Sequence, residues 1–213
     1  MKIVCISDTH LSLDKVKIPY GDILIHSGDL TNSGSLEEVT RELKVLNNLP
    51  HPYKVLIAGN HDVLFEKSPV LVKNLMLDLP EIIYLQDSEV TLDGVRIYGT
   101  PWIPRYFSWA FMLPKGSKDL ERKYLGIPEN LDILVTHGPP WGIRDSNRDS
   151  IKCGSLLLRD RVFKAKPRYH IFGHIHESAG CSEEQGTTFI NASICGGGAN
   201  IKNPIHTPQV FYL

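Results

Sequence analysis

The chain has 213 residues, 42% of them hydrophobic and 22% charged, which is enough for one sizeable core and ordinary for a globular protein. No Pro/Gly-rich or low-complexity stretch divides it, so residues 1–213 read as a single domain, and a formal net charge of -1 gives no global bias toward nucleic acid or membrane. The apolar start MKIVCI is broken by Ser7 and Asp8, so neither a signal peptide nor a membrane span is expected; Cys5, Cys153, Cys181 and Cys195, with no Cys-x-x-Cys pair among them, predict reduced thiols in a cytoplasmic setting.

Five short runs rich in Ile, Val and Leu predict buried strands, and each is followed by a compact polar group. Residues 2–6, with Cys5 as a small core residue, lead to Asp8-Thr9-His10, and residues 22–25 lead to Gly28-Asp29. Ser35-Leu36-Glu37-Glu38 has the pattern of a capping box, and Leu36, Val39, Leu43 and Leu46 recur at helical spacing. Residues 54–57 precede Gly59-Asn60-His61-Asp62, after which Ser68-Pro69 supplies a cap and first-turn proline for a helix to about Leu79. Residues 82–85, 89–92 and 95–98 predict three strands, the last two joined by an Asp93-Gly94 hairpin turn. Residues 132–135 lead to His137-Gly138, another helix follows Ser155, and residues 169–172 lead to Gly173-His174-Ile175-His176. Further strands are expected at 187–190 and 209–212. Between them, Gly196-Gly197-Gly198 lacks the Gly-Lys-Ser/Thr and helix start of a phosphate loop and reads as a plain loop. This order of elements predicts an α/β fold in which two mixed sheets pack together with helices outside.

Metal-competent side chains thus recur just past the carboxyl ends of the predicted strands, the edge at which open α/β sheets bind ligands. Asp8 and His10, like His174 and His176, lie two apart and point to one side of an extended chain. Glycines before Asp29, Asn60 and His174 permit the sharp backbone turns such loops need. Seven residues, Asp8, His10, Asp29, Asn60, His137, His174 and His176, offer oxygen and imidazole donors and no thiolate, a set suited to Mn, Fe or Zn. Seven donors exceed what one ion needs with positions left open for water and substrate, whereas two divalent ions can share a bridging carboxylate, so the site reads as binuclear. Asp8 and Asp29 offset only part of the charge of two such ions, and an anionic phosphoester is the matching ligand. His26, His51, His170 and His206 read as surface or core residues, with His26 and His170, inside strands, placed in the core or behind the ligands.

The order Asp-x-His, Gly-Asp, Gly-Asn-His-Asp, His-Gly, Gly-His-x-His resembles the calcineurin-like metallophosphoesterase superfamily. The segments IPYGDILIHSGDLT, IAGNHD, IYLQDSEV, RIYGTPW, DILVTHGPP and FGHIHE resemble, almost end to end, the metallophosphoesterase-domain-containing family of cyclic nucleotide phosphodiesterases. That resemblance implies an αββα sandwich, the metallophosphoesterase fold. It also implies Asp8, His10, Asp29 and His176 on one metal and Asp29, Asn60, His137 and His174 on the other, with Asp29 as the bridge. It departs around residues 65–79, where this chain is shorter than the animal proteins.

The reaction expected is in-line attack on phosphorus by hydroxide generated at two divalent ions, Mn in the first place and Fe or Zn otherwise. Those seven ligands leave His61 no metal to bind, so it is assigned to the substrate, neutralising phosphoryl oxygens or protonating the departing alkoxide. Asp62 either holds and polarises that imidazole or is an N-cap or turn residue. Residues 101–109 join Trp102, Tyr106, Phe107 and Trp109 to Arg105, forming either a nucleobase platform beside a phosphate or a packed lid. Arg144 and Arg148 are phosphate clamps or solvated charges. The substrate expected is a cyclic nucleotide or similar small phosphodiester, and the charge balance argues against long nucleic acid. A nuclease or phosphomonoesterase on the same site, and a non-catalytic scaffold, are the alternatives.

Overall fold

The computed structural model describes residues 1–197 and 203–213, so Gly198 of the glycine run lies outside the described residues. Strands β1 (Lys2–Ile6), β2 (Ile23–His26), β3 (Tyr53–Leu56) and β4 (Ile82–Tyr84) pair in parallel in that order. Next, β5 (Ser88–Leu92) and β6 (Val95–Thr100) form an antiparallel hairpin, and β7 (Ile103–Pro104) and β8 (Met112–Leu113) a separate short pair. With β9 (Ile133–Thr136), β10 (Tyr169–Phe172), β11 (Gly180–Glu184) and β12 (Thr187–Asn191), the hairpin builds a second sheet of order β11-β12-β10-β9-β6-β5. Finally β13 (Gln209–Tyr212) returns antiparallel to β1 and completes a first sheet of order β13-β1-β2-β3-β4.

Alternation along each strand assigns its side chains to two different layers. On β1, Ile3 and Cys5 join Ile25, Ile97, Ile133 and Ile171 between the sheets, while Val4 and Ile6 face outward. Outside the first sheet lie α1 (Leu36–Asn47), α2 (Val63–Lys67) and α3 (Pro69–Met76), packed through Val39, Leu43, Phe65 and Val72. Outside the second lie α4 (Lys118–Leu125) and α5 (Leu156–Ala165), packed through Leu120, Tyr124, Leu158 and Val162. The result is the αββα sandwich of two mixed sheets, and burial on both faces is why its parallel strands read as continuous apolar runs.

Strand β4 pairs with β3 in the first sheet, and the chain crosses to the second sheet before β5. Two local expectations need correction. Glu38 does not close the capping box on Ser35. Ser35 Oγ accepts the Glu38 N–H at 3.2 Å, but the Glu38 carboxylate accepts from the backbone of Asn32, Ser33 and Gly34. Ser68 likewise makes no side-chain cap, so α3 begins on Pro69 alone. Among the described residues no helix is long and apolar enough to cross a membrane, and all four thiols are free, with Cys5 buried in β1.

The inner face of α1 also buries Glu42, whose carboxylate has Arg41 Nε 3.5 Å away. Burial pushes its pKa up to about 7, Arg41 opposing and Asp14 and Glu38 adding to the shift. A carboxyl whose folded-state pKa lies above its unfolded value stabilises the fold below the unfolded value and loses that contribution as pH rises through about 7. Glu42→Gln is therefore expected to stabilise the protein by about 1–2 kcal/mol at pH 8, allowing for solvent screening, and by little at pH 5. Thermal melts at the two pH values test this; equal shifts at both would refute it.

Candidate metal centre

The seven predicted donors gather at the carboxyl ends of β1, β2, β3, β9 and β10, where the loops turn sharply. Asp8, His10, Asp29 and His174 all adopt positive φ, between 44° and 70°, a conformation that costs energy in non-glycine residues and is sustained by surrounding bonds. Here Asp8 N–H donates to the Gly28 carbonyl at 2.9 Å, His10 N–H to that of Asp29 at 3.2 Å, and His174 N–H to the Asp8 carboxylate at 3.0 Å. The preceding glycines serve two purposes. Gly28 turns the chain at φ 100°, whereas Gly59 and Gly173 are needed for close approach, since a Cβ at either would overlap the carboxylate of Asp29 or Asp8.

Donor atoms of Asp8, His10 and His176 lie within 4.8 Å of one another, as do those of Asp29, His137 and His174. The two groups meet at Asp29, whose Oδ2 is 3.8 Å from His10 Nε2 and 3.4 Å from His137 Nε2. Asn60 Oδ1 lies 3.0 Å from His137 Nε2, and His176 Nε2 is 3.2 Å from Asp8 Oδ1. Backbone carbonyls fix the ring orientation. The Nδ1 atoms of His10, His137 and His176 face the carbonyls of Thr31, Ser27 and Gly196 at 3.1, 3.0 and 3.0 Å. A carbonyl can only accept, so each Nδ1 carries a proton, and each Nε2 is aimed at the cluster. His10 Nε2 is buried with no hydrogen-bond partner.

The electrostatics agree. Burial favours neutral imidazoles, yet Asp29 holds His137 up at about 9 and Asp8 does the same for His176. Both carboxyls in turn stay well below the ordinary range against the opposing effect of their own burial. His174, buried and beside His137, falls to about 3. Imidazole nitrogens and carboxylates converging on one buried point favour cations there, and a bound metal would displace the Nε2 protons of His137 and His176. The oxygen and imidazole donors fit divalent metal ions, and the two groups lie on either side of Asp29.

His61 joins this centre from the side. Its donor atom lies within 4.8 Å of those of His10 and Asp29, its N–H donates to Asp29 Oδ1 at 2.8 Å, and its ring packs on Trp109 at 4.3 Å between centroids. The expectation that Asp62 holds this imidazole is not met. His61 Nδ1 instead faces the Asn32 carbonyl at 2.6 Å. The buried Asp62 carboxylate accepts from Leu30 N–H, Thr31 N–H, Thr31 Oγ1 and Gly59 N–H, which ties the Asp29 loop to the Asn60 loop. Burial, then Asp29, raises its pKa to about 6. Asp62 is a loop clamp.

The remaining candidates divide cleanly. Tyr106 packs on His174 at 5.4 Å, and with Trp109 it covers the centre. Trp102 turns inward, its Nε1 donating to Asp87 at 2.9 Å. Arg144 hydrogen-bonds the Cys181 carbonyl and Arg148 pairs with Asp149, so neither lines the centre. His26 and His170 are buried on Thr9 and Thr136 hydroxyls, at 2.9 and 2.8 Å. His51 is buried on the Pro19 carbonyl, and His206 is half-buried. Two contributors were not anticipated. Ser193 Oγ donates to Asp8 Oδ2 at 2.8 Å, and Glu177 lines the mouth, a cavity of about 180 Å³ shared with Asp29, His61, Tyr106 and His174.

Comparison with known proteins agrees with this geometry. A family model described as calcineurin-like phosphoesterase matches residues 1–178. Human metallophosphoesterase domain-containing protein 1 is 42% identical over 91% of the chain, which spans 66% of that protein's length. A probable cyclic nucleotide phosphodiesterase of Vesicomyosocius okutanii is 25% identical over 81% of the chain and 71% of its own length. The solved phosphopantetheinyl hydrolase of Mycobacterium tuberculosis has the same fold, with a TM-score of 0.62 at 13% identity, covering 91% of this chain and 89% of that one.

Proposed function

Because the chain belongs to the calcineurin-like phosphoesterase family, we propose that it is a metal-dependent phosphodiesterase acting on cyclic nucleotides or similar small phosphodiesters. The observation that carries this reading is the pair of donor groups joined at Asp29. Two divalent ions held there, Mn first and Fe or Zn as alternatives, would supply Lewis-acid charge to the phosphoester and to water. The chain's own residues do the rest. The carbonyls of Thr31, Ser27 and Gly196 fix the ligand rings, so the phosphoryl group meets a site that need not reorganise. His61, anchored by the Asn32 carbonyl, presents Nε2 to the substrate and holds or delivers a proton there. Tyr106 and Trp109 cover one side and limit access of bulk water.

Three features support a small diester. The mouth is only about 180 Å³, the net charge of -1 provides no basic surface for a polymer, and one distant relative is named a cyclic nucleotide phosphodiesterase. The test is a substrate panel on protein stripped of metal and reloaded with Mn, Fe or Zn. Chelation is expected to abolish hydrolysis and Mn to restore it best, with kcat/KM for 2′,3′- or 3′,5′-cyclic nucleotides at least about tenfold above that for duplex DNA, a phosphoprotein or p-nitrophenyl phosphate. Cleavage of DNA or of the monoester with inert cyclic nucleotides would replace the diesterase by a nuclease or phosphomonoesterase. Undiminished activity in metal-free protein would end the metal-dependent reading, and silence on every substrate would favour a scaffold.

A further inference from the structure

A second cavity, of about 410 Å³, opens beside the metal centre and shares Tyr106 and His174 with its mouth. Its volume lies in the range of small-molecule sites. Ile103, Pro139 and Ile175 give it apolar walls, but Arg105 and Lys115 also line it. Among the described residues no carboxylate lines this cavity, and neither cation has an ion-pair partner. Both residues are exposed, and each makes one local contact. Arg105 Nη2 donates to the Met112 carbonyl at 3.1 Å, which leaves its other N–H groups unused, and the Lys115 ammonium sits 5.5 Å from the Trp141 ring centroid.

From this placement we infer that the substrate carries a second phosphate, on an arm of the diester that enters the apolar cavity and ends between Arg105 and Lys115. Two unneutralised cations match the charge of roughly -1.5 to -2 on a phosphate monoester at pH 7, and guanidinium and ammonium groups are its usual partners. The apolar walls suit the sugar or base of the arm between the two phosphates, and the junction at Tyr106 and His174 places the scissile phosphorus at the metal centre. The inference rests on the phosphodiester reading above and narrows it from small diesters in general to those with a distal phosphate.

The test has a binding arm and a turnover arm. Calorimetry with and without Mn compares thymidine 5′-monophosphate with thymidine 3′,5′-bisphosphate, which differ only in the second phosphate. Turnover compares the p-nitrophenyl ester of thymidine 5′-phosphate with and without a 3′-phosphate. The bisphosphate should bind about tenfold or more tightly, and the extra phosphate should lower KM by a similar factor with kcat little changed. Arg105→Ala combined with Lys115→Ala should erase both preferences while monophosphate binding stays within about twofold. Lys115→Met, which cuts no hydrogen bond, should remove part of the preference and guards against a misfolded double variant. Equal binding of the two nucleotides by the unaltered protein, or a preference that survives in the folded double variant, would overturn the inference. Should neither ester be hydrolysed with any metal, the proposed function fails, and the binding arm alone still decides whether the cavity takes a second phosphate.

Discussion

Replacing Asp29 by Ala is expected to lower metal content from two ions per chain to one or none and to reduce kcat/KM by about 10³-fold or more. Asp29 Oδ2 faces His10 and His137, one from each donor group, so its removal subtracts a ligand from both positions at once. It also takes away the negative charge that stands against two cations in a buried site. Ser193→Ala offers a calibrated comparison. That hydroxyl donates to Asp8 at 2.8 Å without reaching the cluster, and losing such a supporting partner behind a ligand typically costs about 10–100-fold in affinity or activity. Asp29→Asn keeps an acceptor for the His61 N–H but no charge, and it should resemble Asp29→Ala in metal content. Elemental analysis alongside kinetics checks all three. Full occupancy in Asp29→Ala would show that the two groups do not share this carboxylate, and a Ser193→Ala loss equal to that of Asp29→Ala would mean the site fails as a whole when any part is altered.

The sequence made the ligand cluster legible because the fold repeats one device. A buried parallel strand must be apolar on both faces, and its carboxyl end is where the chain turns and polar side chains can converge. Five such runs, each followed by Asp, Asn or His, therefore point to the donor cluster that the structure brings together. A sixth instance went unread. Residues 187–190 are followed at once by Asn191 and Ser193, and Ser193 supports Asp8. The partner of His61 was not legible, because the Asn32 carbonyl that holds it belongs to a main chain 29 positions away and leaves no mark in side-chain identity. The same holds for the carbonyls of Thr31, Ser27 and Gly196 that orient the ligand imidazoles. The layer order was readable, but the change of sheet between β4 and β5 was not, since neighbouring strands with β-branched residues look alike whether they share a sheet or not. Helix α4 was missed for a different reason. Ser117 caps it through Leu120 N–H at 3.2 Å, with Asp119 and Glu121 in its first turn and Arg122 and Lys123 in its last. Those signals were present, but with only Leu120 and Tyr124 buried its apolar stripe is too narrow to stand out.

His61→Ala is expected to keep both metal ions and to lose far more activity on a ribose ester than on a p-nitrophenyl ester. The ribose alkoxide is a poor leaving group and needs a proton as it departs, whereas p-nitrophenolate leaves unaided, so a general acid contributes about 10² to 10⁴ in rate to the first and little to the second. The imidazole is built for a directed role. The Asn32 carbonyl accepts a hydrogen bond from Nδ1–H at 2.6 Å, the ring leans on Trp109, and Nε2 is left on the side of the mouth. A residue that only neutralises phosphoryl charge would slow both esters by similar factors, because that charge is common to both transition states. Its donor atom also lies within 4.8 Å of those of His10 and Asp29, close enough to take a place on a metal. Elemental analysis separates that case from the other two. Loss of an ion in His61→Ala would make His61 a ligand, retained ions with equal rate losses would make it an electrostatic partner of the phosphoryl group, and retained ions with a loss confined to the ribose ester would identify it as the acid.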